Sequence, residues 1–143
     1  MAGIRATTIQ KIIAMLRANS VIAQYCGTNV YGAHLSTIQD YNAPCISICI
    51  LSSPGREIDG AFFDCLELQI EPWIDSSGKN NFTWDDVIAI HEAIVDTLHR
   101  SGGWDNSLGI KILEITNILE GAQMVDDDGM MHYPSHWRVK ATQ

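Results

Sequence analysis

Histidine and acidic side chains are the residues of this sequence whose types and spacing could bind a metal ion. His91-Glu92 opens the pattern His-Glu-x-x-His, in which two histidines one helical turn apart bind zinc and the glutamate acts as a general base. The residue four positions after His91 is Val95, so the second ligand is missing. Because His91 falls on an apolar helical stripe, we predict a hydrogen-bonded histidine of the core or its boundary.

Three contiguous aspartates raise the question of calcium, since they stand before a glycine in Asp126-Asp127-Asp128-Gly129. Calcium loops place their acids at alternate positions and close with a distant glutamate, which this segment does not do. An Asp-Gly pair between two apolar runs is typical of a tight turn. We therefore predict a hairpin turn whose crowded carboxylates favour a basic partner surface or a cation.

Other titratable side chains fall on predicted strands. His132 and His136 share one strand face, but four strand residues span about 13 Å, too far for both to bind one metal. Asp64, Glu67 and Glu71 could be imagined as paired catalytic carboxylates, yet acids on the open face of a strand are usually only hydrated. We assign no catalytic residue and no metal ligand.

Motifs for cofactor binding and covalent catalysis are also missing from the sequence. It has no Gly-x-Ser-x-Gly elbow, no Gly-x-x-x-x-Gly-Lys phosphate loop and no dinucleotide-binding glycine pattern. Its four cysteines form no Cys-x-x-Cys pair and are spaced irregularly, at Cys26, Cys45, Cys49 and Cys65. We expect buried free thiols in a reducing compartment, no cofactor and no enzymatic activity.

The charge is acidic and unevenly distributed, with a formal net charge of -8. Residues 1–39 contain Arg5, Lys11 and Arg17 and no acid, whereas residues 40–143 carry 17 acids against 6 bases. This balance argues against a protein that grips nucleic-acid phosphates. No apolar run reaches the 18 residues of a membrane span and no signal peptide is visible, so we expect a soluble protein without membrane contact.

Helices are predicted by apolar residues at helical spacing and by their caps. The first begins at Thr7 or Thr8 and, after one extra turn, ends at Gly27. The second follows a capping box formed by Thr83 and Asp86. With 143 residues, of which 46% are apolar, the chain has the size of one domain, residues 1–143.

Strands are predicted by alternating residues, in five segments: 29–31, 45–51, 62–73, 108–124 and 131–141. A turn at 52–55 follows the second of them, a polar loop at 76–81 follows the third, and the last two form a long C-terminal hairpin. The predicted fold is α+β, with an antiparallel or mixed sheet of about four to five strands and two main helices packed on one face.

The strand 62–73 has an apolar inner face and an outer face of acids and aromatics. The outward positions are Phe63, Cys65, Glu67, Gln69, Glu71 and Trp73. With Trp104 and Trp137, the exposed aromatics hint at contact with other proteins.

The order of these features resembles the tail-terminator or tail-completion proteins of long-tailed bacteriophages, small α/β subunits that form a ring at the head-proximal end of the tail. The resemblance covers most of the chain and depends on order, lengths and the terminal Asp-Gly hairpin. Its residues are the helix 9–16, Gly27 with Val30-Tyr31, the run 43–48, the strand 66–73, the helix positions Ile90, Ala93, Ile94 and Leu98, and the close from Gly121-Ala122 through Asp127-Asp128-Gly129 and His132-Tyr133 to Trp137-Arg138-Val139.

The resemblance implies a structural virion protein of the tail or neck, assembled in the host cytoplasm. It implies a homohexameric ring that ends tail-tube polymerisation and joins the tail to the head. The implied partners are further copies, the tail tube protein and the head-tail connector or neck proteins, with genomic DNA passing through the channel without specific binding. Six copies would carry six times the formal charge of -8.

Two surfaces are candidates for this role. One is a face that would line the channel and repel DNA, or would meet another subunit, and it consists of Glu67, Gln69, Glu71 and Trp73. The other is a contact between the basic amino-terminal helix and the acidic turn of a neighbour, formed by Arg5, Lys11 and Arg17 with Asp126, Asp127 and Asp128.

Two alternatives stay open at this point. The protein could be a head-completion adaptor that binds the portal, or another neck or minor tail protein. Less in keeping with the sequence, it could be a small-molecule-binding or enzymatic α+β domain that uses His91, His132 or His136.

Overall fold

The computed structural model describes residues 3–58, 62–75 and 81–142. Three helices are present, α1 (Ile4–Ala18), α2 (Ser20–Cys26) and α3 (Trp84–Leu98), and Leu35–Thr37 form a short 3-10 turn. The strands are β1 (Val30–Tyr31), β2 (Cys45–Ile58), β3 (Phe62–Asp75), β4 (Gly103–Asp105), β5 (Ile110–Glu120), β6 (Met124–Val125), β7 (Met130–His132) and β8 (Ser135–Thr142). The predicted α+β class is confirmed.

The sheet has the order β1-β2-β3-β8-β5-β4, with β7 beside the end of β3 and β6 beside β7. Only β1 and β2 run parallel, and the other pairs are antiparallel. The sheet is therefore mixed, as predicted, but the described residues form eight strands in it rather than four to five. The excess comes from short strands of two or three residues, which leave no alternating pattern long enough to recognise.

The predicted C-terminal hairpin is confirmed, but its second arm is broken. The chain changes strand at Tyr133-Pro134, because proline has no N–H to donate to the ladder. Gly121 lies against this break and donates its N–H to the Pro134 carbonyl at 2.7 Å. A Cβ at Gly121 would come within 2.7 Å of Pro134, so only glycine fits there.

The helix boundaries follow local capping chemistry in most cases. Asn19 ends α1 and accepts hydrogen bonds from the first turn of α2, Gly27 ends α2 with a φ of 61°, and Thr83 and Asp86 form the predicted capping box. The predicted start at Thr7 or Thr8 is wrong, because α1 begins at Ile4. The two threonine hydroxyls donate to carbonyls one turn earlier and so are held inside the helix.

The predicted turn at 52–55 is also wrong, since β2 continues through it to Ile58. The register against β3 slips between Ile50 and Ser52 and again before Gly55, which marks two bulges. Proline is tolerated at such irregular places on an edge strand, and β1 covers β2 only at Ile46 and Ser47. The predicted loop residues 76–80 and the side chain of Phe63 lie outside what the structure describes.

The main core lies between the helices and the sheet. Its fully buried side chains include Ile12, Leu16, Leu68, Ile94 and Trp137. A second cluster, on the opposite face of β2 and β3, contains Leu35, Cys45, Trp73 and Met130. The expectation of exposed aromatics therefore fails for Trp73 and Trp137, and holds for Trp104, which is 55% exposed.

Cys26, Cys45 and Cys49 are free thiols, as predicted. Cys26 and Cys45 are buried, and burial raises the pKa of each thiol to about 12, so neither is reactive at neutral pH. Cys49 and Cys65 are half-buried. Among the helices of the described ranges, none has the length and apolar character needed to cross a membrane.

Candidate functional site: the acidic turn and its two histidine anchors

The acidic turn, residues 126–129, joins β6 to β7. Gly129 has a φ of 87° and donates its N–H to the Asp126 carbonyl at 2.9 Å, and the Asp128 carboxylate accepts the Met130 N–H at 3.2 Å. All three aspartates are exposed. The predicted hairpin turn is confirmed, and it presents three carboxylates at one surface point. Within the described ranges, no three His, Cys, Asp or Glu side chains converge to hold a metal ion.

The first anchor of this turn is His132, which is 5% exposed. Its Nδ1 lies 2.5 Å from Glu71 Oε2, and its Nε2 lies 2.9 Å from Asp126 Oδ1. Both contacts are hydrogen bonds at once only if both ring nitrogens carry protons, because ionised carboxylates only accept. The two ring nitrogens of His132 thus connect the acidic turn to β3.

Trp73 completes this first anchor. Its indole stacks on the His132 ring, with centroids 4.0 Å apart and planes 12° apart, and its Nε1 donates to Ser47 Oγ at 2.9 Å. The loop between β1 and β2 supplies His34, whose ring meets the indole edge-on, with centroids 6.3 Å apart. The indole is therefore enclosed by three separate segments of the chain.

This packing corrects one prediction made from the alternation of β3. Glu71 and Trp73 are 2% and 6% exposed, so the prediction that they lie on an open face is wrong. The reason is that β7 and the loop before β2 cover that end of the strand. Glu67 and Gln69, further along the same face, stay half-exposed, and Glu67 Oε1 accepts from Arg138 Nη2 at 3.3 Å.

The second anchor is His91 on α3, which is buried as predicted. Its Nε2 lies 2.9 Å from Glu120 Oε1, and the Tyr133 hydroxyl donates to Glu120 Oε2 at 3.1 Å. The His91 hydrogen bond is the largest cause that lowers the pKa of Glu120, and burial followed by the Glu120 bond raises the pKa of Tyr133. This anchor joins the end of β5 to α3.

A cleft of about 240 Å³ opens beside the second anchor. Its described lining is Ile88, His91, Glu92, Val95, Asp96, Glu120 and Tyr133. A histidine oriented by a carboxylate is a general base in many enzymes, but it acts on a nucleophile or a substrate held beside it. The described lining includes no Ser, Thr, Cys or Lys side chain. His136 lies half-buried on β8.

The basic residues of the amino-terminal helix have partners within the chain. Lys11 Nζ lies 2.9 Å from Asp105 Oδ2, and this bond is the largest cause that lowers the pKa of Asp105. Arg17 donates to the carbonyls of Thr28 and Val30 and so ties α1 to β1. Arg5 is exposed in the first turn of α1. The contact between this helix and an acidic turn of another copy stays a prediction.

Glu71, His132 and Trp73 were not recognised as one cluster from the sequence. A stack between residues 73 and 132 depends on the register of β3 against β7, which no local pattern encodes. The one sequence feature that indicates the break before β8 is Pro134, because a proline argues against one straight strand from 131 to 141.

Comparison with known proteins gives a likeness of fold. No family model matches the chain, and no curated protein matches it. Among solved structures, it is similar to a chain from the virion of a native gene transfer agent particle, with a TM-score of 0.75 and 15% identity. The likeness covers 99% of this chain and 98% of the other, so the two share their whole fold.

Proposed function

We propose that this protein is a structural component of a phage-like virion, and that it forms a ring, with six copies as the expected number, which ends tail-tube polymerisation and joins the tail to the head. The observation that carries the proposal is the near-complete mutual coverage of this fold and a virion chain, at a TM-score of 0.75. The resemblance of the sequence to tail-terminator proteins supplies the finer role. The protein then resides in the virion and assembles in the host cytoplasm.

The distribution of charge supports the proposed passage of DNA without specific binding. The chain carries 17 acids and 9 bases, and the half-exposed acid on the remaining outer face of β3 is Glu67. A ring of chains with this acidic net charge would repel phosphates rather than retain them. Gln69 and Glu67 are the channel candidates, since Glu71 and Trp73 are covered within the chain.

Tube length tests this proposal. Purified protein is added to the tail-tube protein of the same virion while that protein polymerises from its initiating complex, and tube lengths are measured by negative-stain electron microscopy. We expect tubes of limited length with a six-fold density at one end. Tubes that grow as long as in the protein's absence would overturn the terminator role, and binding to portal rings instead would establish the head-side adaptor.

The charged contact has its own matched test. In the variant Asp127→Asn with Asp128→Asn, the chain loses two exposed charges from the acidic turn and keeps Asp126 for His132. Ring formation should weaken, and its dependence on salt should decrease. The control, Glu92→Gln with Asp96→Asn, removes two exposed charges from α3 and should assemble like the natural chain. Equal assembly by both variants would contradict the contact.

A further inference from the structure

The sheet has two open edges in the described part of the chain. On one side, β1 pairs with β2 only at Ile46 and Ser47, which leaves residues 48–51 without a strand beside them. On the other side of the sheet, the segment 99–105 lies beside β5 and bonds to it as far as Asn117. The residues that follow Asn117 have no described segment bonded to their backbone on that side. We call residues 48–51 the β2 edge and residues 118–125 the β5–β6 edge.

Both edges are apolar. Of the ten large apolar side chains exposed in the described ranges, six lie on these two edges: Ile50 and Leu51, and Ile118, Leu119, Met124 and Val125. Sheet edges that avoid pairing usually carry lysine, proline or a bulge. Both edges do contain a bulge, but the extra residue is Leu51 in one and Ile118 in the other. The bulges therefore present aliphatic side chains, which suit contact with another protein.

The charges near the two edges are opposite. Beside the β2 edge, the Arg17 guanidinium lies against β1, where it donates to the carbonyls of Thr28 and Val30. The β5–β6 edge contains Glu120 and no lysine or arginine, and it continues directly into Asp126, Asp127 and Asp128. Two β5–β6 edges would bring like charges together, whereas a β5–β6 edge and a β2 edge attract each other. The chain is thus complementary to a second copy of itself, head to tail.

We infer that the β2 edge of one copy binds the β5–β6 edge of the next copy, so that the sheet continues from subunit to subunit. This inference rests on the proposed function, since it names the contact that would hold the ring. A head-to-tail contact uses two different patches on each chain, and it produces a closed ring when the rotation between copies closes.

Complementary variants test the inference. Leu51→Lys places a charge on the β2 edge alone, and the pair Leu119→Lys with Val125→Lys does so on the β5–β6 edge alone. Each variant by itself should be monomeric under conditions in which the natural chain assembles. An equimolar mixture should form one-to-one dimers and nothing larger, because each dimer uses the one intact edge of each chain. Sedimentation velocity and native mass spectrometry measure these states.

A matched control separates edge contact from general loss of apolar surface. Val21 is an exposed residue of α2 that belongs to neither edge, and Val21→Lys should assemble like the natural chain. Circular dichroism and thermal melting should show that every variant is folded, since all the replaced side chains are exposed.

Three results would overturn the inference: assembly of either edge variant alone, a mixture that stays monomeric, or a natural chain that stays monomeric at its highest soluble concentration in low salt. The outcomes remain distinct from those of the tube-length test. Rings that form through these edges but leave tube growth unchanged would overturn the proposed function alone. If the natural chain terminates tubes but the edge variants still assemble, the edge contact alone is overturned.

Discussion

The two histidine anchors connect the same hairpin to the rest of the molecule by the same chemistry, yet they lie in different surroundings. His132 lies between Glu71, whose side chain is 3% exposed, and Asp126, and an indole covers its ring. His91 has one carboxylate partner, Glu120, whose side chain is 51% exposed, and its Nδ1 is buried without a partner. Removing a partner costs more where water cannot replace it. The first anchor should therefore dominate the stability of the hairpin.

The largest effect is expected from Trp73→Ala. The change removes a buried indole, its stack on His132 and its bond to Ser47, and it should lower the free energy of unfolding by about 3–5 kcal/mol. Urea denaturation measures the loss. The control is Trp104→Ala, at an indole that is 55% exposed, where about 0.5 kcal/mol is expected. Equal losses in the two variants would mean that the first anchor is not a sealed cluster.

The direct comparison of the anchors is His132→Gln against His91→Gln. His132→Gln removes the ring that bonds to the buried Glu71 carboxyl group and stacks on Trp73, and about 3 kcal/mol should be lost. His91→Gln removes a bond to a half-exposed carboxylate, and about 1 kcal/mol should be lost. Both values come from chemical denaturation at neutral pH. A loss from His91→Gln as large as that from His132→Gln would contradict the difference between the anchors.

The smallest effect concerns pH and the second anchor. The pKa of Glu120 is lowered in the folded chain, so its ionised form stabilises the fold above the unfolded-state pKa of about 4.3. This contribution is lost as the pH falls through the lowered, folded-state pKa. Because the carboxylate is half-exposed, it should be worth no more than about 1 kcal/mol.

The variant Glu120→Gln isolates that contribution. Its difference in unfolding free energy from the natural chain should be constant at neutral pH and should shrink below about pH 4. Asp86 provides the comparison, because its pKa is also lowered, chiefly by the hydrogen bond from the Thr83 backbone N–H. The difference in unfolding free energy between Asp86→Asn and the natural chain should shrink over a similar pH range. A difference that grows on acidification would reverse the sign and refute the assignment.

Local chemistry explains what the sequence predicted well. Asn19, Gly27 and the Thr83–Asp86 box act on backbone groups within a few residues, so their effect is readable without the fold. The Asp-Gly turn is readable for the same reason. These elements establish the class of fold and the position of the acidic turn.

What the sequence could not give depends on distant segments. Alternation along β3 correctly separates its two faces, but it does not tell what covers each face. One end of the outer face is covered by β7 and by the loop before β2, which buries Glu71 and Trp73. Similarly, Thr7 and Thr8 have the side chains of caps, and only the helix start at Ile4 reveals that they lie inside α1. Contacts between remote residues are the part of the site that needed the structure.

The place of β8 in the sheet has a consequence for the order in which the protein can fold. This strand, Ser135–Thr142, lies between β3 and β5, so each of those two strands lacks its neighbour on that side until β8 has been synthesised. Non-local pairing of this kind is slow, and it leaves strand edges exposed to aggregation while it is incomplete. The sheet of a nascent chain on the ribosome therefore stays incomplete until β8 has been made. A chaperone that shields the open sides of β3 and β5 during translation should raise the yield of folded protein.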